Sequence, residues 1–171
     1  MRTVAVILAR GGSQRIPRKN LLLLAGKPLI VHTIEHAKAA RLIERVVVST
    51  DDPEIASVSR AASADVVSRP AALATDTASS ASALLHAVGQ LDAAGSSPDL
   101  IVLLQCTSPV RRAEHIDGAI RTLLDQGADS LFSAAASRAC IWQQEGQALR
   151  PLTYDHRRRR RHHLRHRRLV G

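Results

Sequence analysis

The amino-acid sequence predicts an α/β fold with a mostly parallel sheet covered by helices on both faces. Three observations predict it. Short runs rich in Val, Ile and Leu recur at Thr3–Ala9, Arg45–Ser49 and Leu100–Leu104. Stretches with helical periodicity separate them, and Gly, Pro and Asp stand at the junctions. A strand that is apolar on both faces belongs to a parallel sheet, and a helix between two such strands is the crossover that a parallel pair needs.

Each element follows in order. Thr3–Ala9 is a buried strand ended by Arg10-Gly11-Gly12. Pro28 can occupy the first turn of a helix running to about Ala40, with Ile30, Ile34 and Ala37 on one face. Lys27 before it reads as a turn residue. Arg45–Ser49 is the second strand, and Asp52-Pro53 starts a helix through about Ala62. Asp65–Val67 is a brief third strand. A helix follows the polar stretch Thr75–Ser80 and runs to about Ala93, before a turn at Gly95–Pro98. Leu100–Leu104 is the fourth strand. Ala113–Gln126 places Ile116, Ala119, Ile120, Leu123 and Leu124 on one stripe, and Gly127 ends it. Ser130–Ala134 is a candidate fifth strand, and beyond Ala139 the pattern weakens. Residues 1–150 form one expected domain and 151–171 an appended basic tail.

Composition excludes several classes of function. One Trp, one Tyr and one Phe leave few platforms for stacking single-stranded nucleic acid. Cys106 and Cys140 have no metal-ligand spacing and form no disulfide framework, which fits a reducing cytoplasm. No run approaches the ~18 apolar residues of a membrane span, and no signal peptide is expected. The net charge of +9 is local. Eight of the 24 basic residues lie in 156–171, which leaves 16 basic against 15 acidic in the rest. The tail is expected to be disordered, and its phosphate affinity to be non-specific. The body offers no element that reads nucleic-acid sequence.

Ligands on parallel sheets bind at the carboxyl ends of the strands. Arg10–Asn20, Ser49–Asp52 and Gln105–Arg111 each follow a strand, so they are expected to line one crevice. The first of these carries the strongest signal. Gly11 and Gly12 let backbone N–H groups approach an anion, and Arg10, Arg15, Arg18 and Lys19 add four positive charges within ten residues. A triphosphate needs both features. The segment is neither a G-K-[ST] phosphate loop nor G-x-G-x-x-G. A solvated basic loop is the alternative, and the position directly after a buried strand argues against it. Asp51 and Asp52 could ligate a metal, but Asp52-Pro53 is a normal helix start, and that reading is preferred. His32, His36 and His86 have no partner at ligand spacing and read as surface or core residues. A lone Cys106 reads as inert.

Five motifs in register carry a family resemblance. They are Ile7–Ser13 with Lys19-Asn20, Gly26–Ile30, Val47–Asp52, Arg69–Ser80 and Leu103–Arg111. Together they are similar to the acylneuraminate cytidylyltransferases, the CMP-sialic acid synthetases, through about residue 135. Cys106 stands where that family usually has proline. The resemblance implies a Rossmann-like three-layer α/β/α nucleotidyltransferase fold. It also implies transfer of CMP from CTP to a nonulosonic acid with release of pyrophosphate, as in capsule or lipopolysaccharide precursor synthesis.

By the same resemblance, Arg10 and Lys19 hold the triphosphate and stabilise its developing charge. Ala9, Gly11, Gly12, Ser13 and Asn20 complete the CTP site. Arg69 and Ser80 contact the cytidine part, while Gln105 and Arg111 face the sugar acid. Legionaminic acid, pseudaminic acid and a deoxyoctulosonate are alternative acceptors, and a non-catalytic CTP-binding remnant is the alternative to an enzyme. The resemblance also implies Mg²⁺ and a homodimer. The acidic pair that binds Mg²⁺ in the family belongs to a later segment, so no metal ligand is expected in this chain. The abrupt change to Arg and His after Asp155 suggests a frameshift, and turnover is expected to be impaired.

Overall fold

The computed structural model describes residues 1–14, 16–136 and 141–152. Arg15 of the cationic loop, Cys140 and the basic tail at 156–171, with the nucleic-acid affinity expected of it, lie outside the described residues. The chain packs as two units, Met1–Leu131 and Phe132–Gly171. This boundary falls earlier in the chain than the change of composition after Asp155.

The first unit begins with strand β1 (Thr3–Leu8), followed by a 3-10 turn at Lys19–Leu21. Strands β2 (Leu23–Leu24) and β3 (Lys27–Pro28) form a small antiparallel hairpin. Then come α1 (Leu29–Ala39), β4 (Arg45–Thr50), α2 (Pro53–Ala61) and β5 (Asp65–Ser68). A 3-10 turn at Ala71–Leu73 leads to α3 (Ser80–Ala93), β6 (Leu100–Leu104) and α4 (Ala113–Asp125). The central sheet has the order β5-β4-β1-β6, with every pairing parallel. No helix among the described residues is long and apolar enough to cross a membrane.

The pleat of β1 and β4 sorts the helices into layers. Ala5, Ile7, Val46 and Val48 point to one face and pack with Ile30, Ile34 and Ala37 of α1, Ile55 of α2, and Ile116 and Ile120 of α4. Val4, Val6 and Val47 point to the other face, against Ala87 and Leu91 of α3. Helix α1 buries Ile30, Thr33, Ile34 and Ala37, the spacing of one helical face. Asp52 accepts from the N–H groups of Glu54 (2.9 Å) and Ile55 (3.0 Å), so it caps α2 with Pro53 in the first turn.

Four expectations need correction. Ser130–Ala134 is not a strand: it joins no ladder among the described residues and is exposed. A strand requires a hydrogen-bonding partner as well as a favourable composition. On α4, Leu124 is half exposed while Asp117 is buried, because the Asp117 carboxylate accepts from the N–H groups of Arg41 (3.1 Å) and Leu42 (2.9 Å). Finally, the weak pattern beyond Ala139 conceals a hairpin. In the second unit, β7 (Trp142–Glu145) pairs antiparallel with β8 (Ala148–Pro151) around Gly146, whose φ is 64°. A two-stranded ribbon wet on both faces shows no apolar alternation. Similarly, the β2–β3 turn places Ala25 (φ 49°) and Gly26 (φ 82°) in left-handed conformation, and Lys27 is more than a turn residue because it pairs with Glu35 at 2.7 Å.

Candidate nucleotide site

The strand order creates a topological switch. From β1 the chain steps outward through β4 to β5, then returns to add β6 on the other side of β1. Leu8 pairs with Ser49 and Ile7 with Leu104, so the segments that begin at Ala9, Asp51 and Gln105 leave the same edge. Such a divergence opens a crevice beyond the carboxyl ends of β1 and β6.

Ala9 is buried, and its N–H donates to Ser49 O (3.0 Å), which fixes where the loop departs. Arg10 then reaches across to the segment after β5. Its Nη1 donates to Thr75 O (2.7 Å), and its Nη2 pairs with Asp76 Oδ1 (2.6 Å). Gln14 Nε2 donates to the other Asp76 oxygen. The Gly11 N–H donates to Asp51 Oδ1 (3.1 Å), and the Ser13 N–H donates to Gly11 O (3.0 Å). Gly12 is exposed. Arg18, with φ 52°, pairs with Asp52 (3.0 Å) and Glu54 (2.6 Å), and the hydrogen bond to Asp52 raises its pKa above the ordinary value. Burial works against the charge on Asp52, but the Ile55 N–H and Arg18 outweigh it, and the carboxyl stays below its ordinary pKa.

Asn20 is buried, and its Nδ2 donates to Arg10 O (3.3 Å), tying the turn that carries Lys19 back to the loop. The side chain of Lys19 is half buried and has no hydrogen bond or ion pair among the described residues. Arg69 is buried and donates to Ser49 Oγ (3.1 Å) and Ser49 O (2.7 Å). Burial lowers its pKa, while nearby Asp51 acts to raise it and Arg10 to lower it. Ser80 is exposed at the first position of α3, and the neighbouring Ser79 makes the cap by accepting from the Ser82 N–H (3.0 Å).

The loop after β6 converges on the same region. Gln105 is exposed, and its carbonyl accepts from Arg111 Nη2 (2.9 Å). Arg111 Nη1 is buried without a partner among the described residues. Cys106 is buried, which pushes its thiol up to about 11 even though Arg111 and Lys19 both lie close enough to favour the thiolate. That agrees with an inert residue.

The structure thus brings Arg10, Gly11, Lys19 and Asn20 together, with Arg69 behind them and Gln105 and Arg111 on the β6 side. What the sequence did not reveal is the acidic partner of each donor: Asp76 for Arg10, Asp51 for Gly11 and Asp52 for Arg18. The signal present was Thr75-Asp76-Thr77, a polar stretch in a matched motif, but contact across 66 residues of chain is not legible from spacing. Among the described residues no three His, Cys, Asp or Glu come together as a metal site. Asp51 and Asp52 are already taken up by backbone N–H groups and Arg18. Both Asp52 oxygens are held by Arg18 and the first N–H groups of α2, so Asp52 does not fit the role of a ligand for the Mg²⁺ that the resemblance implies.

Fold and edge together define a Rossmann-like nucleotidyltransferase architecture. A solved CMP:2-keto-3-deoxy-manno-octonic acid synthetase, in complex with CTP, superposes with a TM-score of 0.64 at 28% identity, covering 75% of this chain and 49% of that one. The family model described as Cytidylyltransferase matches residues 4–151, and the chain belongs to this family. It is 37% identical over 140 residues to N-acylneuraminate cytidylyltransferase A of Danio rerio, covering 82% of this chain and 32% of the relative. It is 44% identical over 121 residues to the CMP-N,N'-diacetyllegionaminic acid synthase of Legionella pneumophila, covering 70% of this chain and 52% of the relative. The chain thus spans about half, or less, of the length of these curated relatives.

Proposed function

We propose that this chain is the nucleotide-binding part of a cytidylyltransferase that transfers CMP from CTP to a sialic-type nonulosonic acid. In this reaction the acceptor's anomeric hydroxyl attacks the α-phosphorus and loses its proton to solvent. A new P–O bond forms, the α–β P–O bond breaks, and pyrophosphate leaves. The observation that supports the reading is the bond from Asn20 Nδ2 to the Arg10 carbonyl (3.3 Å), which ties the turn carrying Lys19 to the glycine loop after β1. Arg10 and Lys19 neutralise the charge that grows on the leaving phosphates. Ala9, Gly12 and Ser13 line the phosphates. Arg69 and Ser80 serve the cytidine, and Gln105 and Arg111 the acid. On this reading residues 1–150 are the cytidylyltransferase domain, residues 151–171 are an appendage, and the protein works in the cytoplasm.

The test is CTP binding by calorimetry, followed by pyrophosphate release with CTP and N-acetylneuraminate. Neutralising Arg10 and Lys19 together (Arg10→Ala, Lys19→Ala) is expected to weaken CTP binding at least tenfold, the effect of losing two charge-assisted contacts. Unchanged affinity in the double variant, or preference for a purine triphosphate, would refute the reading.

A further inference from the structure

Asp76 has no role in the nucleotide transfer just proposed, yet it holds the group on which that transfer depends. Its two oxygens take the Arg10 guanidinium (2.6 Å) and the Gln14 amide. Arg10 is also held by the carbonyl of Thr75 (2.7 Å), one residue before. The contact is partly wet, with side-chain exposures of 31% for Arg10 and 48% for Asp76, so an incoming anion can reach it. It joins two segments 66 residues apart: the loop after β1 and the strip between β5 and α3. A carboxylate on a guanidinium fork has the geometry that a phosphate presents to the same fork.

We propose that Asp76 is a latch for the nucleotide site: its carboxylate competes with the phosphates of the nucleoside triphosphate for Arg10, and binding requires the exchange of one for the other. The proposal rests on Arg10 being a phosphate contact, as in the proposed function. Asp76 acts through Arg10 and is a positioning residue. Two consequences follow from the exchange. The pair lowers the affinity for triphosphate below what the cationic loop could reach alone. It also discriminates by charge, because a polyphosphate displaces a carboxylate more readily than a monophosphate does.

The experiment measures binding of CTP, CMP and inorganic tripolyphosphate to the full chain by calorimetry, for wild type, Asp76→Asn, Asp76→Glu, Arg10→Ala and the double variant Asp76→Asn/Arg10→Ala. Asp76→Asn is expected to tighten CTP and tripolyphosphate about two- to fivefold, the worth of an ion pair of this exposure. It should narrow the gap between CTP and CMP. Asp76→Glu, which keeps the charge, should restore the wild-type affinity. In the Arg10→Ala background the Asp76→Asn change should have no effect, a coupling that a merely structural role would not produce. If Arg10→Ala weakens CTP binding while Asp76→Asn leaves it unchanged or weaker, the latch is refuted and the nucleotide site stands. If Arg10→Ala changes nothing, Arg10 is not a phosphate contact and the latch falls with that premise, while the nucleotide site is judged by the Arg10/Lys19 double variant. Both side chains are partly exposed, and thermal melts of each variant check that the fold is retained.

Discussion

Gly11 lies so close to Asp52 that any side chain at position 11 would begin 2.6 Å from Asp52 Oδ2 and 2.9 Å from Asp52 Cβ. The glycine is required for space, not for a left-handed backbone. The crowded neighbour is also the cap of α2 and a partner of Arg18, so it has little freedom to move aside. Through this one contact the anion loop and the start of α2 share a position.

Gly11→Ala should therefore disturb both at once. We expect a loss of about 1–2 kcal/mol in thermal or denaturant unfolding, the scale of a lost cap with some overpacking. CTP binding should weaken in parallel. Gly12→Ala is the control for stability, because a methyl group there meets nothing within 4 Å among the described residues. Its unfolding free energy should stay within about 0.5 kcal/mol of wild type. Equal effects at the two positions would contradict the contact.

Asp117 clamps the turn between α1 and β4 by accepting from the N–H groups of Arg41 and Leu42. Burial opposes its charge, but these two donors outweigh that and hold the carboxyl below its ordinary pKa. Because the folded pKa is depressed, the stabilisation is present above the unfolded value near 3.8 and is lost as pH falls through the folded value. Asp117→Ala should cost about 3 kcal/mol at neutral pH, the range for removing a charged acceptor from two donors. The difference from wild type should shrink below pH 4. Urea melts at pH 7 and pH 3.5 measure it, and a gap that widens in acid would mean that folding raises this pKa instead of lowering it.

Cys106 is buried and its thiol is pushed up to about 11, so it stays protonated at neutral and mildly alkaline pH. Iodoacetamide at pH 8, read by peptide mass spectrometry, should leave Cys106 unmodified in the native protein and label it fully in denaturant. Rapid labelling of the native thiol would show that the β6 loop opens far more readily than its packing implies.

Much of the fold was legible because the local signals agree with one another. Thr3–Leu8 and Arg45–Thr50 read as buried strands and are buried in the sheet, and Asp52-Pro53 marks the start of α2 without reference to any tertiary contact. Leu100–Leu104 reads the same way but is only partly covered, with Leu103 exposed, because it stands at an edge of the four-stranded sheet. Ser130–Ala134 carried a strand-like composition with no partner to complete it. Trp142–Pro151 formed a hairpin whose wet faces left no periodic trace. The stripe on α4 misplaced Leu124 and Asp117 because hydropathy cannot anticipate a carboxylate buried to satisfy two backbone donors.

The sequence by itself determined the alternation of strand and helix, the edge at which the polar loops emerge, and the cationic glycine turn that carries the family likeness. These are properties of neighbours along the chain, set by side-chain period and backbone chemistry. Only the tertiary structure decided that β1 stands between β4 and β6, and that Asp51, Asp52 and Asp76 each meet a donor of the anion loop. Those partners come from segments 34 to 66 residues away in sequence, and such pairings exist only once the sheet has closed the distance.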